Sequence, residues 1–222
     1  MPPSCRQRIR RDVAAVMRPF GMSTDLHELR LETVLRHALA SGASSVLDLG
    51  CGDGELLVRL ACERQFTRIV GIDISMQALA AARVLLALDS AQAAGRIELL
   101  HASFAEADDR LTGFDLAVML ETIEHVDPAR LSLVERAVFG AYRPSMVIVT
   151  TPNQEYNVFH GMAPGTFRHP DHRFEWNRAR FRRWSDGVAQ RNGYAVRFSD
   201  IGDHDPVLGA STQMARFQRV AA

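Results

Sequence analysis

Glu121, Glu124 and His125 stand at a spacing that invites chemistry. If residues 121–125 turn helically, positions i, i+3 and i+4 share a face and bring two carboxylates and an imidazole together. Two bare carboxylates that close repel each other, and one would take up a proton. A divalent cation removes the conflict. Three ligands from one short turn leave room for a fourth from elsewhere and for substrate. Downstream, Arg168-His169-Pro170-Asp171-His172-Arg173-Phe174-Glu175-Trp176 offers candidates for that fourth position. A lone loop histidine is ordinarily a surface or hydrogen-bonding residue. The Glu-x-x-Glu-His run differs because it stands at a strand end, has a glycine-rich loop as neighbour and is matched by this His-rich segment.

A second constellation is Asp48-Leu49-Gly50-Cys51-Gly52-Asp53-Gly54-Glu55. In an open parallel sheet, ligands lie beyond the carboxyl ends of the strands, and glycines there let a ligand rest on the backbone. The spacing is G-x-G-x-G. A dinucleotide loop would need glycine where Glu55 stands, and no G-K-[ST] follows, so a P-loop is excluded. Asp48 and Asp53 would repel a pyrophosphate but suit a ligand with an amino or sulfonium group. Asp73, 19 residues after Gly54, can accept both hydroxyls of a ribose.

The elements that position these residues alternate. Apolar runs at 45–49, 68–74, 96–100, 114–120 and 145–150 read as buried strands. Helical stretches lie between them at 54–64, 75–91 and 128–141, after helices at 6–18 and 24–41. Leu26, Leu29, Leu35 and Leu39 are the apolar positions of the second of these. Alternation of this kind implies βαβ units and an α/β, doubly wound, mostly parallel sheet with helices on both faces. The pattern stops near 151, and a stretch without period runs from Thr151 to Glu175; a loop of that length is usually functional or disordered, and Asn153, Tyr156, Asn157, His160 and the Arg168–Trp176 run favour function. A helix at 177–192 and strands at 194–201 and 213–219 bring the sheet to seven strands. One domain of 222 residues is expected, with N-terminal helices (1–42), a cofactor-binding core (43–150) and a loop with closing elements (151–222).

Composition narrows the setting. Apolar residues make up 47% and charged residues 23%, an ordinary globular balance. No run of 18 apolar residues exists, which excludes a membrane-spanning helix, and the basic N-terminus lacks the apolar run of a secretory signal. Three cysteines, Cys5, Cys51 and Cys62, build no disulfide framework, and a cytoplasmic protein is expected. The 26 basic residues balance 26 acids, and all are arginine, so any bound anion is held by guanidinium forks. Eight arginines against three acids fall between 168 and 197, among them Arg168, Arg173 and Arg178.

Val46 to Glu55 with Ile72-Asp73-Ile74 resembles the class I S-adenosylmethionine-dependent methyltransferases. The resemblance implies that Asp73 holds the cofactor ribose, that Gly50 and Gly52 underlie its methionine moiety, and that Ser103 lies near the adenine. The longer motifs are more specific. Glu121-x-x-Glu124-His125, Thr151-Pro152-Asn153-Gln154-Glu155-Tyr156-Asn157 and the Arg168–Trp176 run closely resemble the Hua-enhancer type small-RNA methyltransferases. Leu26-His27-Glu28-Leu29-Arg30 and Thr212-Gln213-Met214-Ala215-Arg216-Phe217 extend the likeness over about residues 26–219.

That resemblance implies methylation of the 2′-oxygen of an RNA 3′-terminal nucleotide, in RNA silencing or RNA repair. The ligands of one divalent cation would be Glu121, Glu124, His125 and one loop histidine. His172 is preferred over His169 because it belongs to the Asp-His-x-Phe-Glu-Trp core. Two glutamates and two histidines suit Mn²⁺ better than Mg²⁺, with zinc and cobalt left open. Arg168, Arg173 and Arg178 are the expected RNA contacts. A monomer with no membrane association is expected, with an RNA-repair kinase or ligase as candidate partner. Two other readings stand beside this one: a metal-dependent O-methyltransferase of a small vicinal diol, and a non-catalytic module that binds RNA ends.

Overall fold

The computed structural model describes residues 25–88 and 95–220; the expected helix at 6–18 lies outside them. The chain divides into two compact units, Met1–Ala102 and Ser103–Ala222. Among the described residues there are seven strands: the first unit holds β3 (Ile97–His101), β2 (Arg68–Asp73) and β1 (Ser45–Leu49) side by side in that order, and the second holds β4 (Leu116–Leu120), β5 (Met146–Pro152), β7 (Gly209–Arg219) and β6 (Tyr194–Asp205).

The first unit carries α1 (Asp25–Ala40), β1 (Ser45–Leu49), α2 (Glu55–Ala61), β2 (Arg68–Asp73), α3 (Met76–Leu85) and β3 (Ile97–His101). β1 pairs parallel with β2, and β2 with β3. Val46, Leu47, Leu49, Ile69, Val70 and Ile72 are all buried, as expected of parallel strands covered on both faces. The stripe that α1 buries is Leu31, Val34 and Ala38, not the expected Leu26, Leu29, Leu35 and Leu39, and Leu29 is exposed. Leucines lie on both sides of this helix, so leucine spacing alone picks the wrong face; the i, i+3, i+7 set from Leu31 contains only smaller apolar residues after its first member.

Arg96 closes the far end of α2. Its guanidinium donates to the carbonyl oxygens of Ala61 (2.9 Å), Phe66 (2.6 Å) and Glu63. A cation there satisfies the last carbonyls of the helix and meets the negative end of its dipole. At the start of α3 the Ser75 hydroxyl accepts the Ala78 N–H at 3.1 Å, an N-cap that sets where the helix begins after β2.

The second unit carries β4 (Leu116–Leu120), α4 (Leu131–Val134), β5 (Met146–Pro152), α5 (Arg178–Asn192), β6 (Tyr194–Asp205) and β7 (Gly209–Arg219). The expected helix at 128–141 is a composite: a 3-10 turn at Pro128–Arg130, α4, then a π-helical run, Glu135–Tyr142. β4 pairs parallel with β5, while β7 lies antiparallel between β5 and β6. Phe139, Phe217 and Tyr194 pack edge to face beneath this sheet, with centroids 4.9 and 5.5 Å apart. The stretch after β5 has its own structure: a 3-10 run at Gln154–His160 and a parallel bridge from Asn153 to Trp176. Among the described residues no helix is long and apolar enough to cross a membrane.

Gly71 on β2 is where the glycine loop packs against its own unit. A Cβ there would stand 2.5 Å from Leu57 Cδ1 and 3.0 Å from Cys51 Sγ. Gly71→Ala is expected to lower stability by ~1–3 kcal/mol through overpacking, measured by urea denaturation.

Candidate active site

The glycine loop is tied to the end of β2. Gly50 and Cys51 donate their N–H groups to the Ile72 carbonyl oxygen at 2.8 and 2.9 Å. Asp73 then takes the Gly52 N–H on Oδ2 (2.9 Å) and the Ser75 N–H on Oδ1 (2.8 Å). A carboxylate has four lone-pair sites, so Asp73 keeps capacity for further donors such as hydroxyls. Gly52 has φ +53, and among the described residues nothing lies within 4 Å of where its Cβ would stand. The loop therefore offers open backbone at the residue nearest Asp73.

Asp48 is buried beneath this loop, and Asp53 is exposed on it. Burial first, and the charge of Asp73 second, push the Asp48 carboxyl up to about 7. Glu55, the first residue of α2, is hydrogen-bonded to His27, and Glu28 pairs with Arg59 at 2.7 Å. The His27-Glu28 part of the N-terminal motif thus joins α1 to the helix that leaves the glycine loop. Ser103 begins the second unit, where its hydroxyl accepts the Ala105 N–H at 3.2 Å.

In the second unit, Glu121 follows β4 with φ +51, a left-handed conformation uncommon for a residue with a side chain. Its N–H donates to the carbonyl oxygen (3.2 Å) and the hydroxyl (3.0 Å) of Thr150. A 3-10 turn, Ile123–His125, comes next. Residues 121–125 are therefore not one regular helical turn, and the shared-face argument does not describe them. The donor atoms of Glu124, His125 and His172 nevertheless lie within 4.8 Å of one another; Glu121 is not in that group.

Glu124 is fully buried, and its Oε2 accepts the Thr151 hydroxyl at 3.0 Å. Its carbonyl oxygen accepts the Arg173 N–H at 2.7 Å, fastening the segment that carries His172 to the 3-10 turn. The His125 and His172 rings meet edge to face at 4.9 Å, and His169 adds a third ring at 5.9 and 5.7 Å from them. Desolvation, then the neighbouring His172 and His169 rings, hold His125 below the ordinary imidazole range. A neutral imidazole is the form that ligates a metal. Two imidazoles and one desolvated carboxylate converging this closely fit a divalent transition-metal cation such as Mn²⁺ or Zn²⁺.

His172 Nδ1 bonds to Glu175 Oε1 at 2.6 Å. Asp171, its sequence neighbour, instead faces His169 at 3.7 Å. Burial raises the Glu175 carboxyl, but hydrogen bonds from His172, Asn157 and the Arg168 N–H outweigh it and leave the group below its ordinary range. Sequence reasoning placed Glu175 in the segment without assigning this contact; the i, i+3 step from His172 was the available signal.

Two of the three arginines expected on RNA are engaged within the protein. Arg168 donates from Nε to Asn157 Oδ1 (2.6 Å), from Nη1 to the carbonyl and hydroxyl oxygens of Ser211 (2.9 Å each), and from Nη2 to the Asn153 carbonyl (2.7 Å). Arg178 pairs with Glu155 at 2.8 Å and donates to the Val207 carbonyl at 2.5 Å. The Arg173 side chain is exposed.

A methyltransferase-domain family model matches residues 47–143. Magnesium protoporphyrin IX methyltransferase from Synechocystis, 16% identical with a TM-score of 0.65, shares the fold. Fold and glycine loop together define a class I methyltransferase, the class that uses S-adenosylmethionine. The methyltransferase domain of bacterial CtHen1 is 42% identical, with a TM-score of 0.81 over 89% of this chain and 100% of that one. The small RNA 2′-O-methyltransferase of Arabidopsis thaliana is 34% identical over 89% of this chain and 23% of its own length. The rat enzyme of that name is 37% identical over 78% and 46%. The chain belongs to the Hen1 small-RNA methyltransferase family. It spans about half or less of the curated relatives' length.

The buried Asp48 generates a pH prediction. Between the ordinary value of 3.8 and about 7, the folded chain keeps a proton that the unfolded chain has lost. Stability of the ligand-free protein is therefore expected to fall as pH rises through that window. Asp48→Asn should flatten the fall, read from urea midpoints at about pH 5 and about pH 7.5.

Proposed function

We propose that this chain transfers the methyl group of S-adenosylmethionine to the 2′-oxygen of the 3′-terminal nucleotide of an RNA, with the help of a divalent cation. The observation that carries the reading is the convergence of the ligand atoms of Glu124, His125 and His172 within 4.8 Å of one another. Glu124 would contribute a buried carboxylate oxygen, His125 a neutral nitrogen, and His172 the nitrogen that faces away from Glu175. Glu121 is the further family ligand, on the neighbouring turn. A divalent cation held there supplies a lowered hydroxyl pKa and a point on which two vicinal oxygens can be oriented.

The chain's own share is positioning. Asp73 would accept the cofactor's ribose hydroxyls, and the Gly50–Gly52 backbone would lie under its methionine part. Asp48, ionised, favours the cationic amino and sulfonium groups. In the transfer the methyl carbon–sulfur bond breaks with its electron pair staying on sulfur as S-adenosylhomocysteine, the bond from the 2′-oxygen to the methyl carbon forms, and the hydroxyl proton passes to solvent water. A free terminal diol supplies both oxygens to be oriented. Mn²⁺ suits the mixed nitrogen and oxygen donors better than Mg²⁺.

For RNA, Arg173 is the contact that this reading favours, because its side chain is exposed one residue from His172. Arg168 and Arg178 would contribute through the shape of the segment. An RNA-repair kinase or ligase remains the partner to seek by co-purification.

The test uses labelled S-adenosylmethionine and RNAs ending in a diol, a 3′-phosphate or a 2′-deoxy sugar, with and without Mn²⁺. Only the diol should be methylated, and only with metal; efficient methylation of the 3′-phosphate RNA would overturn orientation through two oxygens. His172→Ala should abolish turnover and leave cofactor binding intact in calorimetry. Arg173→Ala should weaken RNA binding and reduce its salt slope by about 0.7 log units per decade, the value of one lost single-strand contact.

A further inference from the structure

Behind the candidate metal centre runs a chain of hydrogen bonds whose direction is forced by its ends. Arg168 can only donate, and its Nε gives a hydrogen to Asn157 Oδ1 at 2.6 Å. That contact fixes the amide, so Asn157 Nδ2 must point the other way, to Glu175 Oε2 at 2.6 Å. An ionised Glu175 can only accept. Its Oε1 takes the Arg168 N–H at 2.6 Å and meets His172 Nδ1 at 2.6 Å. The proton in that last contact must therefore come from the imidazole. His172 is left with its proton on Nδ1 and the lone pair of Nε2 for a ligand.

The chain is also anchored and dry. The Glu175 side chain is wholly buried and that of His172 nearly so. Arg168 is pinned at its other end to Ser211 on β7 and to Asn153 after β5. The sheet thus holds the carboxylate, and the carboxylate holds the ring.

We propose that Glu175 is a positioning residue, which with Asn157 and Arg168 sets the tautomer and orientation of His172 and thereby the affinity of the site for a divalent cation. Arg168 then acts through the protein and not as a phosphate contact. The inference rests on the metal-dependent reading above and adds residues to it that would act through His172. A metal-bound histidine commonly needs such a partner, and losing it typically weakens metal affinity 10–100-fold.

The experiment titrates Mn²⁺ into the full chain by electron paramagnetic resonance, with S-adenosylmethionine affinity measured in parallel. Glu175→Gln places an amide where only an acceptor fits; Mn²⁺ binding should weaken about 10–100-fold while cofactor affinity stays at the wild-type value. Arg168→Lys loses the fork and should weaken Mn²⁺ in the same direction, with the salt slope of RNA binding unchanged. Equal Mn²⁺ affinity in wild type and Glu175→Gln would overturn the inference alone; no Mn²⁺ binding by the wild type would sink the metal-dependent reading itself. Should the variants fail to fold, nitrogen-15 NMR of the wild-type chain at roughly pH 8.5, above the ordinary imidazole range, decides the matter. The expected result is a protonated Nδ1 on His172, and a protonated Nε2 would overturn the proposal.

Discussion

A carboxylate taken out of water must find hydrogen-bond donors or give up its charge. Three buried acids of this chain show how much depends on that rule. Glu175 meets an imidazole, an amide and a backbone N–H, which together hold its carboxyl below the ordinary range despite its burial. Asp48 is buried near a second carboxylate, Asp73, and its pKa rises to about 7. Glu124 accepts a hydroxyl and stands against two imidazoles. The first is met by hydrogen bonds within its own unit; in the proposed reading the other two would face cationic ligands.

The segment between β5 and α5 owes its shape to the first of these solutions. It has little regular structure, yet Asn153 is fully buried, donates from Nδ2 to the carbonyls of Leu208 and Ala210, and accepts the Glu155 N–H. Arg168 joins the same anchor to Glu175. Trp176 stacks on Phe174 at 4.2 Å and closes the segment beside Arg180. Side-chain hydrogen bonds here replace the backbone ladder that a strand or helix would provide.

Much of the fold was legible because its signals are local. The apolar runs that become β1, β2, β4 and β5 are buried, as parallel strands covered on both faces are, whereas β3, the end strand of the sheet with Glu98 in its run, has no buried residue; the boundaries of all five lie within two residues of the expected ones. The closing strands run longer than expected: β6 extends to Asp205 and β7 begins at Gly209, because the two pair along a hairpin whose outer half carries no alternating pattern. Burial on α1 fell on Leu31, Val34 and Ala38, a choice made by what the helix packs against. The π-helical run at Glu135–Tyr142 has no spacing that separates it from an α-helix over so few residues.

Residue types and their order were settled by the sequence alone. It supplied the glycine loop with its acids, the Glu-x-x-Glu-His run, and two loop histidines from which to draw a ligand. Tertiary structure decided which groups meet. It set Glu121 in a left-handed turn, placed His172 with Glu124 and His125, chose Glu175 over Asp171 as the partner of His172, and drew Arg168 and Arg178 into the protein. The reason is distance along the chain. Arg168 reaches Ser211 across 43 residues and His172 reaches Glu124 from a different segment, so no local spacing could carry either contact.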